Sequence, residues 1–239
     1  MRRLWLFAAL LALNACGRYF AGPLRPLEQQ APEMRVNDDG SVTYTRDRLT
    51  ITLQPMTDGQ LNRQFASVSQ QGAHSSNPYT FGNWHPTGDG WTPPRFAVFL
   101  VTVSNYQYPK VLIDGLQATI TTTNNRRYQA MSYGQMDEYF QAYWLGRTGQ
   151  GRAEYESRGD LLKRTLLGRQ IIFSGQEKQG YVVFPVLNDD VKKLQVRLSG
   201  IVLRFDYADQ PLEQIDLNYQ FERDVFRGKQ PPPELVEKH

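Results

Sequence analysis

The sequence predicts a mainly β protein, an antiparallel sandwich carrying a helical insertion at about 132–168 and a short helix near 58–68. Two observations lead there. Apolar and polar residues alternate with a period of two in several separate stretches, the pattern of a strand with one buried face. Apolar residues three and four apart, behind side chains that can cap a helix, gather in only a few places.

The strands follow in chain order. Leu49, Ile51 and Leu53 alternate with Thr50, Thr52 and Gln54. Residues 96–103 are apolar on both faces and read as a central strand, as do 181–186. Leu116, Ala118 and Ile120 alternate with Gln117, Thr119 and Thr121. Near the C-terminus, Leu194, Val196 and Leu198 form one alternating set. Ile201, Leu203 and Phe205 form the next, and Ile215, Leu217, Tyr219 and Phe221 a third. Asp189-Asp190 and Ser199-Gly200 read as tight connections between them. Many short strands joined by turns point to a sandwich.

Three helices interrupt the strands. Thr57 and Gln60 fit a capping box ahead of Leu61, Phe65 and Val68. Ser132 and Gln135 fit another ahead of Met136, Tyr139, Phe140, Tyr143 and Trp144, which share one helical face. That face is explained by packing on a sheet. Ser157 and Asp160 open a third helix that Gly168 ends, and Gly146, Gly149 and Gly151 read as the loop before it.

The ends differ from the body. Arg2 and Arg3 precede a ten-residue apolar run, Leu4 to Leu13, which is the layout of a secretory signal and too short for a membrane span. Residues 1–15 are therefore expected to be removed. Residues 16–40, broken by Gly22, Pro23, Pro26 and Pro32, read as a flexible tether. The folded domain is expected at 41–226, and 227–239, with Pro231 to Pro233, as a disordered tail.

Leu13-Asn14-Ala15-Cys16 resembles the lipobox of bacterial lipoproteins, with Asn14 in place of the usual small residue. The resemblance implies that Cys16 becomes the lipidated first residue of a protein anchored to the membrane through that lipid. Cys16 is the only cysteine in 239 residues, so no disulfide framework competes for it. Several acyl chains on one residue anchor stably where one holds only marginally. Gly17, in place of the aspartate that retains lipoproteins at the inner membrane, implies an outer-membrane location facing the periplasm. A second resemblance is carried by 96–105, a hydrophobic strand ending in Asn105, and by Gly180-Tyr181-Val182-Val183-Phe184-Pro185. These residues resemble the immunoglobulin-like domain of small, uncharacterised extracytoplasmic lipoproteins, over about 94–222. That group implies a binding role and no shared catalytic site.

Composition narrows the function. The 27 basic and 24 acidic residues become 25 and 24 once Arg2 and Arg3 leave with the signal. A near-neutral chain without a basic run gives no footprint for nucleic acid. His74, His85 and His239 have no metal-ligand spacing, and neither metal nor cofactor is expected. No G-x-S-x-G occurs, the one thiol is committed to lipid, and no catalytic residue is assigned.

The stretch 77–91 carries what binding signal there is. Tyr79, Phe81, Trp84 and Trp91 lie in a Gly- and Pro-broken loop without periodicity. Exposed, they form a recognition surface. Buried, they close the end of the sandwich, as large aromatics usually do. The leading expectation is a lipid-anchored, non-enzymatic envelope protein that binds a protein partner, since no polar constellation in the sequence converges on a small molecule. The alternative is a module that binds glycan or another envelope polymer through the same loop. A third reading is a hydrolase with scattered site residues.

Overall fold

The structure, a computed structural model, describes residues 17–86, 91–144 and 149–236. The expected signal segment and Cys16 lie outside the described residues. Two antiparallel sheets pack face to face, and helices cover part of the outer face of one. The first sheet runs in the order β11-β6-β5-β4-β3, from β11 (Gln176–Pro185), β6 (Phe96–Asn105), β5 (Leu49–Met56), β4 (Val42–Arg46) and β3 (Met34–Val36). The second has the order β10-β7-β12-β13-β2, from β10 (Arg169–Phe173), β7 (Lys110–Asp114), β12 (Lys193–Phe205), β13 (Pro211–Glu222) and β2 (Arg25–Pro26). On β12 also lies β8 (Ala118–Thr122), which pairs with β9 (Arg127–Gln129).

Alternation places the core. Leu49, Ile51 and Leu53 of β5 and Phe99, Val101 and Val103 of β6 meet Val196, Leu198, Leu217, Tyr219 and Phe221 from the opposite sheet. The rings of Phe99 and Phe221 lie 5.5 Å apart across the gap. Asn105 ends β6 in the interior with its amide satisfied. Its Nδ2 donates to the Tyr108 and Ile172 carbonyls at 2.8 and 3.0 Å, and its Oδ1 accepts from the Gln107 and Tyr108 backbone N–H groups. A buried amide so occupied fixes the β6–β7 turn against β10.

The expected helices form, with one change of boundary. In α1 (Asp58–Gln64), Thr57 and Gln60 complete a capping box. Ser132 and Gln135 make the reciprocal bonds at the start of α3 (Tyr133–Trp144). Short α2 (Ala66–Ser69) follows α1. The third expected helix, α4 (Gly149–Thr165), begins well before Ser157 and runs through Gly149 and Gly151, expected to be loop. Side-chain anchoring from this early part outweighs the glycines' poor propensity: Glu154 is buried and Arg152 pairs with Glu156. Together α1, α3 and α4 lay Leu61, Met136, Phe140 and Leu162 on Phe96, Val98, Tyr181 and Val183, which makes a second core on the outer face of the first sheet.

Two strand expectations change. Residues 199–200 are not a turn but a bulge inside the thirteen-residue β12. Gly200 takes φ +67°, and its N–H donates to Asp216 Oδ1 at 2.8 Å. The bulge lets one strand serve two neighbours, β8 along 194–198 and β7 at Val202. Strand β11 is the edge of its sheet rather than central. It reads as central because helices cover its outer face and because other chain closes its edge. Met131 and Leu167 N–H groups donate to the Val183 and Tyr181 carbonyls at 2.7 and 2.8 Å.

The expected tether and tail are corrected too. Within 17–40, β1 (Arg18–Ala21) pairs with β14 (Val225–Gly228), and β2 and β3 join the two sheets. Phe20 is fully buried. In the expected tail, α5 (Pro233–Val236) delivers Leu235 onto Phe20 and Trp91. The prolines that suggested disorder suit edge strands and a first helical turn, where a missing N–H costs nothing. Among the described residues no helix is long and apolar enough to cross a membrane.

Candidate functional site

The expected recognition loop is a hydrogen-bonded knot docked on α1 and α2. Asn77 is its centre. Its Nδ2 donates to Ser69 Oγ at 2.9 Å, and its Oδ1 accepts from the Tyr79 N–H at 2.9 Å. Asn62 on α1 donates to the Gly82 carbonyl at 3.0 Å, and the Asn83 N–H reaches the Ser69 carbonyl at 2.9 Å. Gly82 adopts φ +66°, and a Cβ there would lie 2.4 Å from Ser69 O. Close approach and left-handed backbone both require glycine. Gly, Ser and Asn thus hold this loop in one shape. Residues 87–90 lie outside the described residues.

The four aromatics separate. Tyr79 is 0% exposed, with its ring 4.8 Å from Tyr181 and its hydroxyl on Thr165. Burial raises both phenols, Tyr181 to about 12. Trp91 is 3% exposed and meets Phe20 edge-on at 5.4 Å. These two belong to the core, a correction to their place on the expected surface. Phe81 is half-buried, and Trp84, at 40%, is exposed. Their rings lie 6.0 Å apart at the mouth of a cavity of about 230 Å³.

Three other elements complete this cavity. From the approach to β6, the Arg95 guanidinium lies 4.1 Å above the Phe81 ring and 5.5 Å from Phe140 of α3. From α4, the Arg158 guanidinium lies 5.3 Å from the Phe140 ring and donates to the Ser75 carbonyl at 2.5 Å. Glu154, one turn earlier, is buried between Arg158 at 3.5 Å and His74 Nδ1 at 2.8 Å. The site therefore has an aromatic rim, two cations, a carboxylate and a histidine. Such a set can grip an aromatic or anionic group of a partner by stacking and charge-assisted hydrogen bonds. His85 bonds Thr92 at 2.9 Å, so the two histidines serve separate partners. Sequence reasoning found Phe81 and Trp84 but missed Arg95, Phe140, Glu154 and Arg158. Arg95, Phe140 and the Glu154–Arg158 pair come from three elements far apart in the chain, and only the pair shares a helical spacing.

A second, larger cavity of about 350 Å³ lies near the paired termini. The segment 21–24 after β1, the first turn of α1, the start of β6 and α5 form its walls. Leu24, Met56, Trp91, Phe96 and Leu187 line it, with Asp58, Arg63 and Arg223 as its charged groups. Burial raises the Asp58 carboxyl to about 7, against the opposing pull of the Arg95 charge.

No family model matches the chain, and no curated protein matches it. The crystal structure of the YjhA protein from Bacillus subtilis is similar at a TM-score of 0.34 and 9% identity, over 74% of this chain and 93% of that one.

Proposed function

We propose that this chain is a non-enzymatic binding protein of a bacterial envelope, anchored by lipid on Cys16 and held at the outer membrane facing the periplasm. It captures a protein partner at the cavity rimmed by Phe81 and Trp84. The observation that carries the reading is Trp84, a 40%-exposed indole on a rigid loop beside Phe81, Arg95 and Arg158. Tryptophan and arginine over a desolvated pocket are the residues that dominate protein interfaces. The apolar leader ending at Cys16 supports the location. The β-sandwich suits the immunoglobulin-like reading of 96–105 and 180–185. A glycan reading has support from the same indole, since a sugar ring stacks on an exposed aromatic face.

The test is a photo-crosslinking side chain at position 84 in cells, with a control at Tyr207 in the β12–β13 connection. A discrete protein adduct at 84, absent at 207 and lost with Arg158→Ala, is expected. Co-sedimentation with purified cell-wall polymer, without a protein adduct, would move the reading to glycan. Absence of both a discrete adduct at 84 and polymer co-sedimentation would overturn the binding reading of this cavity.

A further inference from the structure

We infer that the 350 Å³ cleft beside the paired termini binds a free fatty acid, with its chain along Leu24, Trp91 and Phe96 and its carboxylate drawn to Arg223. The inference rests on charge and size and does not depend on what the Trp84 cavity captures.

Arg223 is the central observation. It is 7% exposed and lines an otherwise mostly apolar cleft. Its Nε donates to the Val191 carbonyl at 2.8 Å and its Nη2 to the Asn188 carbonyl at 2.6 Å. Among the described residues no carboxylate comes within ion-pair distance of it. The nearby Asp190 is taken by Arg126. Asp189 and Asp190 act on Arg223 only through space, and burial lowers its pKa. A buried guanidinium served by neutral carbonyls alone is costly. An anion entering the cleft supplies the missing charge in a place where water screens it little.

The remaining groups suit an acid head. Arg63, in the last turn of α1, is exposed and lines the same cleft, adding a second positive charge. Asp58, half-buried, lines the cleft too, and with its carboxyl raised to about 7 it is partly protonated near neutral pH. In that form it donates a hydrogen bond to a carboxylate rather than repelling it. The apolar walls, with Met56, Leu187 and Leu235 beside the residues named above, provide for a hydrocarbon chain. The volume is near the lower end of the ~300–1,000 Å³ of ligand sites, which suits one chain and not the two of a phospholipid.

The full chain is titrated with dibromostearate, whose bromines quench tryptophan on contact. Saturable quenching near one equivalent is expected, retained in Trp84→Phe and lost in Trp91→Phe. Arg223→Gln is expected to weaken binding by on the order of tenfold or more. Because Arg223 also ties down 188–191, exposed Arg63→Glu provides a second variant, expected to bind several-fold more weakly with unchanged melting. Brominated stearylamine, with a cationic head, is expected not to quench. Absence of Trp91 quenching, or equal quenching by acid and amine, overturns the inference. Quenching by brominated phosphatidylglycerol vesicles but not by the free acid overturns it too, in favour of a membrane-contact surface.

Discussion

The hydroxyl of Tyr219 in β13 donates to the backbone carbonyl of Ile51 in β5 at 2.9 Å, a bond that crosses the interior from one sheet to the other. Both residues are fully buried. Removing the donor leaves a buried acceptor short of a partner, at a cost of about 1–2 kcal/mol. Tyr219→Phe should lower the unfolding free energy by that amount, read as a lower denaturant midpoint with no change of slope, since the core keeps its shape. A variant as stable as the parent would show that the bond contributes nothing net.

Trp91 and Trp84 should behave as opposites. Trp91 fills the small core with Phe20 and Leu235, so Trp91→Ala is expected to cost about 3–5 kcal/mol. Trp84 is exposed at a cavity rim, and Trp84→Ala should stay within ~1 kcal/mol of the parent. Chemical denaturation of the two variants side by side decides the matter. A large loss for Trp84 would return it to the core.

Gly82 and Gly175 both have positive φ, +66° and +81°. Only at Gly82 would a Cβ meet other atoms, Ser69 O and Ser75 Oγ, each at 2.4 Å. Gly175→Ala should carry the backbone penalty alone, about 1 kcal/mol. Gly82→Ala should exceed it by at least ~1–2 kcal/mol and shift the emission of Trp84 as the loop loosens. Equal melting temperatures would contradict the docked loop.

Asp58 gives a pH dependence of definite sign. Its folded pKa of about 7 lies above the ordinary 3.8, so between those values the folded chain holds a proton that the unfolded chain has released. Its contribution is nil below about pH 4. It becomes unfavourable as pH rises, to a ceiling of about 4 kcal/mol above pH 7. Partial exposure reduces the realised effect. Asp58→Asn should therefore be more stable than the parent at pH 8 and equal to it at pH 4. Parallel stability curves across this window would place the carboxyl in water.

Cys16→Ser should abolish incorporation of labelled fatty acid and block maturation of the chain. Continued labelling would end the lipoprotein reading.

The strands and helix caps were legible because local chemistry determines them. Period two marked β5 and β13, and Thr57 and Ser132 announced α1 and α3 before any tertiary contact was considered. The bulge at Gly200 was read as a turn because its role depends on two neighbouring strands that no local window contains. The ends were misread for a related reason. Proline and glycine marked 17–40 as irregular, which is correct backbone chemistry, but pairing with β14 depends on residues two hundred positions away. In the candidate site, aromatic content drew attention to 77–91 and could not separate Tyr79 from Trp84. That separation comes from Asn77, whose bonds turn one ring inward while the chain beyond carries another out.

The ladder of β1 on β14 sets Arg18 opposite Gly228 and Ala21 opposite Val225. Residues 17 and 229 thus leave from the same end of it. Tension between those two points would open the pair like a zipper, loading one rung at a time, whereas a shear geometry would share the force among all rungs. The first buried side chain freed would be Phe20, the packing partner of Trp91. Mechanical load on the termini and access to the neighbouring cleft are therefore joined through one short ladder.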